Sequence, residues 1–197
     1  MAACHAAATI DLGTGDGRSV LASAAAQPDR LVVGVDASAA AMAAASRRAG
    51  ATPRRGGLPN ALFVVAAAEA LPRELDGVAD LVTVHFPWGS LLRGLLGADP
   101  ATMTGLTRVM RPGATVSMLL SATVRDRGAG VAPIQEATFH AVAGAYGRYG
   151  LVITQARPAT AADVAAARST WGKRLGAGVQ RPVWLLRARF ASPGPSA

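Results

Sequence analysis

The sequence has little with which to cross-link itself or to bind a metal. One cysteine, Cys4, leaves no internal disulfide to form. Three scattered histidines, His5, His85 and His140, do not make a zinc framework, so no metal is expected. Hydrophobic residues make up 51% of the chain, much of that alanine, but no stretch approaches the roughly 20 consecutive apolar residues that cross a bilayer. Met1 to His5 carry no basic cluster and no long apolar run, so no secretory signal is expected there. A cytoplasmic protein with no membrane partner is the resulting expectation. Lysine is almost missing, Lys173 being the only one.

Acidic residues are scarce in one half only. Residues 1–110 hold nine Arg against nine Asp plus Glu, whereas residues 111–197 hold ten Arg and one Lys against three acids. The whole formal charge of +8 therefore lies in the second half. A genomic bias toward Ala and Arg would raise Arg everywhere without stripping acids from one half. The asymmetry predicts a polyanionic partner, and nucleic acid is the usual one.

What the chain does have is glycine in a telling place. Thr9-Ile10-Asp11-Leu12-Gly13-Thr14-Gly15-Asp16-Gly17 reads as the end of a buried strand followed by a glycine turn, and Ser19 to Ala26 reads as helix. Such a turn lets backbone approach a ligand without Cβ atoms in the way. A second apolar strand, Leu31 to Val35, ends at Asp36, where a carboxylate can accept both hydroxyls of a ribose. Arg18 stands where a dinucleotide fingerprint needs a third small residue, so that fingerprint fails. The remaining pattern, acid-x-Gly-x-Gly-x-Gly, resembles the first motif of class I methyltransferases, which bind S-adenosylmethionine.

Further strands are expected at Leu62–Val65, Asp80–Phe86, Ala114–Leu120, Leu151–Ala156 and Pro182–Phe190. Helices are expected from Ser38, from Asp99-Pro100, at Ile134–Tyr146 and at Ala161–Arg168, the last opened by a capping box of Thr160 and Asp163. Loops are expected over Ala51–Asn60 and Ser121–Val131. Alternation of strand and helix implies an α/β fold built on a parallel sheet, with ligands at the carboxyl ends of its strands. Gly13–Gly17, Asp36, Ala67–Glu69 and Phe86–Trp88 all fall at that edge. Residues 1–190 are expected to form one domain, with 191–197 as a frayed tail. Trp184, inside Val183-Trp184-Leu185-Leu186, is expected in the core.

Rarer segments narrow the resemblance. Arg30-Leu31-Val32-Val33, Gly56-Gly57-Leu58-Pro59-Asn60, Pro87-Trp88-Gly89-Ser90-Leu91-Leu92-Arg93-Gly94 and Ser169-Thr170-Trp171-Gly172-Lys173-Arg174-Leu175 together resemble one family. It is the aminoglycoside-resistance 16S rRNA methyltransferases of the Kam and Npm type, which methylate N1 of adenine-1408 in the decoding site, helix 44, of the 30S subunit. The resemblance runs from about Ile10 to Phe190. Family members usually carry a longer segment before the first strand, and the Arg125–Pro133 linker also differs.

That resemblance implies a Rossmann-like class I methyltransferase fold, a seven-stranded mostly parallel sheet with helices on both faces. It implies S-adenosylmethionine as cofactor, held by Asp11, Gly13, Thr14, Gly15, Asp16, Gly17, Asp36, Ala67, Glu69 and His85. A base buried in a duplex must be flipped out to react, and flat side chains then hold it. Trp88, at a strand's carboxyl end, and Trp171, in a late loop of the basic half, suit that task, with Pro87 and Ser169 fixing the base. Arg54, Arg55, Arg125, Arg127, Arg148, Lys173, Arg174, Arg181 and Arg187 are candidates for rRNA phosphates. The partner would be 16S rRNA in the 30S subunit and the enzyme a monomer. Two alternatives remain open from the residues: a tRNA or other RNA-base methyltransferase of the same fold, and a homologue that binds S-adenosylmethionine or RNA without turnover.

Overall fold

The computed structural model describes residues 5–174, 176–178 and 181–191, with the side chains of 127–129, 171 and 174 left out. The expected tail falls, from 192 on, outside the described residues. The elements in order are β1 (Ala7–Leu12), α1 (Arg18–Ala26), β2 (Arg30–Asp36), α2 (Ala39–Ala49), β3 (Ala61–Val65), β4 (Ala79–His85), α3 (Gly89–Leu96), α4 (Pro100–Arg108), β5 (Met110–Leu120), α5 (Glu136–Arg148), β6 (Leu151–Pro158), α6 (Ala161–Ala166), α7 (Thr170–Arg174) and β7 (Trp184–Phe190). One seven-stranded sheet runs β3-β2-β1-β4-β5-β7-β6. β7 pairs antiparallel with both neighbours, and the other pairings are parallel.

Period-two alternation sorts the strand residues onto two faces. Ile10, Leu12, Val82, Val84, Val116 and Met118 enter the main core with Leu92, Leu95, Met103 and Leu106 from α3 and α4 and Phe139 and Val142 from α5. On the other face Val32 packs with Val20 and Ala24 of α1 and Ala45 and Ala49 of α2. A third, smaller cluster of Phe86, Leu119, Ala167, Ala177, Val183 and Leu185 seats α6 and α7 on that same face. Trp184 is half-buried against the main core, its ring 5.3 Å from that of Phe139.

All seven expected strands and all five expected helices form, with ends displaced by a few residues. Ser38 caps α2 by accepting from Ala41 N–H, Asp99 caps α4 through Thr102 N–H, and Thr160 with Asp163 closes the expected box on α6. β5 starts early, at Met110, because the register steps from Ala79 opposite Met110 to Leu81 opposite Thr115. The intervening Arg111-Pro112-Gly113 forms a bulge. Two helices, α3 and α7, are not foreseen by the sequence. Gly89 and Gly94 weaken the helical pattern of α3, yet a Cβ on Gly94 would meet Thr102 Oγ1 at 2.3 Å, so α3 needs that glycine to lie against α4.

Asn60 joins the first three strands. Its buried Nδ2 donates to the carbonyls of Ala24, Gln27 and Arg30 at 2.9–3.0 Å, which ties the end of α1 to the start of β2. Its own carbonyl accepts Val32 N–H at 2.8 Å. Asn60→Ala leaves buried carbonyls unpaired and is expected to cost about 2 kcal/mol, read as a lower urea midpoint at unchanged slope.

Candidate functional site

The chain runs β1, β2, β3 to one side and then returns to β4, so a crevice opens between the carboxyl ends of β1 and β4. A cleft of about 440 Å³ lies there, lined by Gly13 to Asp16, Asp36, His85 to Trp88, Leu91, Ser169 and Thr170, with Ser19 and Ala41. Its floor is the glycine turn. Gly13 and Thr14 N–H both donate to Val35 O, at 2.8 and 3.0 Å, which folds the turn onto β2. Gly13, Gly15 and Gly17 all take positive φ. A Cβ on Gly13 would lie 2.7 Å from Leu91 Cδ2, whereas the space above Gly15 is open. Backbone is therefore bare toward the cleft where a ligand would sit.

Two carboxylates hold this turn from opposite sides. Asp36 Oδ2 accepts Gly15 N–H at 2.8 Å and its Oδ1 accepts Ser38 N–H at 2.9 Å. Each oxygen keeps lone-pair capacity toward the cleft, enough for a pair of ligand hydroxyls. Asp11 is different. It is buried, and its Oδ2 accepts from Thr14 Oγ1 (2.8 Å) and Ser19 Oγ (2.7 Å) while Oδ1 accepts from Thr83 Oγ1 (2.7 Å). Asp11, expected among the cofactor-holding residues, does not line this cleft: its carboxylate lies behind the turn, in the wall of an adjoining cavity that also takes in Thr9, Thr83 and His85.

Three other residues of the expected set also lie outside the cleft lining. Gly17 packs under Phe63 and Ala45, where a Cβ would meet carbons at 2.5 and 2.8 Å, so it is a packing glycine that starts α1. Ala67 and Glu69 are exposed and do not line the cleft, and Glu69 Oε1 accepts from Thr102 Oγ1 at 3.5 Å. Gly13, Thr14, Gly15, Asp16, Asp36 and His85 do line it, as do Pro87, Trp88 and Ser169. Trp171 lies on α7 rather than in a loop, two residues beyond Ser169, and its side chain is outside the described residues. Ser19 and Ala41 carry no motif signal and were not foreseen, Phe86 was expected at this edge without a role, and Leu91 and Thr170 lie inside the quoted segments without one.

The wall above the turn comes from the end of β4. Phe86 N–H still donates to Leu119 O at 2.8 Å, but Phe86 itself adopts φ 53°. A bulky side chain at positive φ costs on the order of 1–3 kcal/mol and needs surrounding structure to hold it. Trp88 follows at the N-terminus of α3 and is 46% exposed, against the rule that large apolar side chains are covered. Ser169 Oγ accepts Gly172 N–H at 3.1 Å and so anchors the start of α7 beside the same cleft.

The residues fit S-adenosylmethionine. Bare backbone at Gly15, a carboxylate at the tip of β2 and apolar Leu91 and Ala41 suit an amino-acid moiety, a ribose and an adenine respectively, and the volume falls in the range of small-ligand sites.

Comparisons with known proteins now decide the family. The family model for NpmA, 16S rRNA (adenine(1408)-N(1))-methyltransferase, matches residues 1–190. This chain belongs to that family. A 16S rRNA (adenine(1408)-N(1))-methyltransferase of Streptoalloteichus hindustanus is 40% identical over 171 residues, covering 84% of this chain and 79% of the relative. Among solved structures, a tryptophan-to-alanine variant of the Catenulisporales acidiphilia enzyme with cosubstrate SAM superposes with a TM-score of 0.88 at 31% identity, covering 100% and 91% of the two chains. The aminoglycoside resistance methyltransferase NpmB1 gives a TM-score of 0.83 at 39% identity, with 96% and 90% covered. The chain is thus an adenine-1408 N1 methyltransferase of class I fold, a family that uses S-adenosylmethionine.

For such a methyltransferase the positions of the cations matter. Arg125 and Lys173 are exposed on segments that follow β5 and border the cleft end of the sheet. Arg54 and Arg55 precede β3 and Arg148 ends α5, so these three lie at the opposite end, where the parallel strands begin. Arg187 faces across β7 into a second-face cavity with Ser117 and Thr83. Arg181 is not a free surface cation. Its Nε donates to Ser121 Oγ at 2.8 Å and its Nη2 pairs with Asp126 Oδ2 at 2.5 Å, with only 13% of the side chain exposed. Against burial, which raises it, the Thr123 N–H and hydroxyl, and after them the Arg181 pair, hold the Asp126 carboxyl below its usual range and close the loop after β5. The side chains of Arg127 and Arg174 lie outside the described residues.

His85 lines both the cleft and the adjoining cavity, and its Nδ1 is buried without a hydrogen-bond partner, 3.9 Å from Asp11 Oδ1. Burial lowers its pKa, and the Asp11 charge opposes that only in part. The unfolded chain therefore binds a proton that the folded chain refuses, once pH falls below about 6.5. Stability is expected to fall as pH drops from about 7 toward 5, and His85→Gln should flatten that slope in denaturant titrations at stepped pH.

Proposed function

We propose that this chain binds S-adenosylmethionine in the β1–β4 cleft and methylates N1 of adenine-1408 within intact 30S subunits, acting as a cytoplasmic monomer that confers aminoglycoside resistance. The observation that carries the residue-level reading is Trp88, a half-exposed tryptophan on the rim of the cleft, across from Ser169 and Thr170. Relatives named as aminoglycoside-resistance methyltransferases and as 16S rRNA enzymes support the substrate.

Asp36 would take the ribose hydroxyls, the Gly13–Asp16 backbone the amino-acid moiety, and Leu91 with Ala41 the cofactor's adenine. Bound S-adenosylmethionine supplies an electrophilic methyl group on a sulfonium. The chain's own task is then geometric. Neutral adenine presents an in-plane lone pair at N1, so no proton has to be removed first, and what remains is to align the base and exclude water. Trp88 on one side and Trp171 on the other would clamp the flipped base, with Pro87 and Ser169 setting its edge. Methylation makes the base cationic, and π faces stabilise that developing charge. His85, kept neutral by burial, puts no competing cation beside the sulfonium. Arg125, Lys173 and Arg174 would meet rRNA phosphates around the cleft.

Two measurements test this. Primer extension on 16S rRNA, after incubating 30S subunits with enzyme and S-adenosylmethionine, should stop at adenine-1408, because an N1 methyl blocks base pairing; a stop elsewhere, in tRNA only, or nowhere contradicts the assignment. In calorimetry, Asp36→Ala should weaken S-adenosylmethionine binding at least tenfold, about 1.4 kcal/mol. Unchanged affinity in a folded variant would move the cofactor from this cleft.

The clamp has its own signature. Trp88→Ala and Trp171→Ala should slow methylation tenfold or more with little change in 30S affinity, since docking rests on dispersed phosphate contacts, and the Phe variants should be milder. Alanine variants that methylate at wild-type rate would remove the clamp.

A further inference from the structure

Two features that the adenine chemistry does not use meet at one point. The first is the left-handed conformation of Phe86. Along β4, Val82 and Val84 enter the main core, while Leu81, Thr83 and His85 face the opposite side. Alternation would send Phe86 to the main core. Its φ of 53° turns the ring back to the His85 side, where it is buried with Leu119, Ala167, Ala177, Val183 and Leu185. The second feature is Gly172 in the middle of α7, a helical residue with no turn or cap to require glycine. A Cβ there would stand 2.5 Å from Phe86 Cε2 and 3.0 Å from Cδ2 and Cζ. Contacts under 3.0 Å to a ring held in a packed cluster do not relax by a rotamer change alone.

We propose that the Phe86 ring seated under Gly172 is the joint that sets the spacing between the two tryptophans, making Phe86 and Gly172 positioning residues for methyl transfer. Trp88 is two residues after Phe86 and Trp171 is one residue before Gly172. Pro87 fixes the backbone between Phe86 and Trp88, so the rim tryptophan inherits the position of the ring. On the other side Ser169 Oγ and the Ala177 N–H bond to Gly172 O hold α7 as a short rigid arm over that ring. Glycine at 172 lets the arm come down to ring contact, and any side chain lifts it. The left-handed turn at Phe86 is retained because it places the ring under α7 while its successor residues face the cleft. The inference rests on the proposed clamp, and its test separates the two.

The test is a double-mutant cycle on 30S methylation. Gly172→Ala should lower the single-turnover rate at saturating 30S and S-adenosylmethionine at least tenfold, while S-adenosylmethionine and 30S affinity stay near wild type and the variant remains folded with a melting midpoint lowered by the overpacking. Phe86→Leu should lower the rate less, since it removes Cε2 and Cζ but keeps the apolar cluster. Adding Phe86→Leu to Gly172→Ala should restore at least half of the lost rate, because the methyl then has room. A Gly172→Ala enzyme at wild-type rate overturns the joint, and so does a loss confined to 30S or cofactor affinity. Additive losses in the double variant overturn it as well, since they leave no coupling between the two positions. Trp88→Ala measured alongside distinguishes the clamp: if it methylates normally while residues 86 and 172 still couple, the clamp has failed and the joint serves another part of the site.

Discussion

The cleft depends on one buried carboxylate. Asp11 is 5% exposed, with His85 Nδ1 at 3.9 Å from one of its oxygens, and its carboxylate accepts from three hydroxyls. Those hydroxyls come from three different elements: Thr14 from the glycine turn, Ser19 from α1 and Thr83 from β4. An ionised group left unpaired in the interior is expensive, and hydrogen bonds to charge are worth roughly twice those between neutral groups. The three partners are therefore held close to Asp11, which fixes turn, helix and the neighbouring strand in one arrangement. Asp36 then takes the turn from the other side through Gly15 N–H. With both carboxylates in place the glycine backbone has one path, and the three positive φ values are the consequence.

That arrangement explains which parts of the site could be read from the sequence. The glycine turn, Asp36 and Pro87-Trp88 were legible because each sits at the end of an apolar run whose period marks it as a strand, and strand ends gather at one edge of a parallel sheet. Asp11 was legible as part of the motif, but the direction of its carboxylate was not. Spacing gives a residue's place along the strand, and only the alternation of Ile10 and Leu12 into the main core reveals that Asp11 points away from them. Gly17 was read as ligand-facing for the same reason, whereas its missing Cβ makes room for Phe63. α3 escaped because its glycines look like a turn, and α7 because it is a single short turn whose reason for existing, the Phe86 ring, lies 86 residues away in the sequence.

Charge shows a different limit. The +8 excess of the second half pointed to a polyanionic partner without ranking the cations that would meet it. Folding divides it. Arg157 is taken by Asp163 at 2.7 Å and Arg181 by Asp126, while Arg148 goes to the far end of α5. A cation count cannot anticipate that Asp126, 55 positions before Arg181, will be its partner. What survives at the cleft end is a smaller set headed by Arg125 and Lys173, the cations proposed above to meet rRNA phosphates.

The nucleophile's chemistry makes sense of where this fold is strained. A ring nitrogen with a free lone pair asks for no general base, so the chemistry calls on neither His85 nor the Asp16 and Asp36 carboxylates that line the cleft. Rate then has to come from orientation, which is set by backbone and rings rather than by titrating groups. Among the described residues, two of the three non-glycine residues at positive φ, Phe86 and Arg168, stand next to residues that would touch the base, while the third, Ala98, lies outside the cleft. The small cluster around Phe86 offsets that strain by burying the ring among Leu119, Val183 and Leu185. Because the same ring limits how near α7 can approach, the residue that bears the strain is also the one that fixes the gap above the cleft.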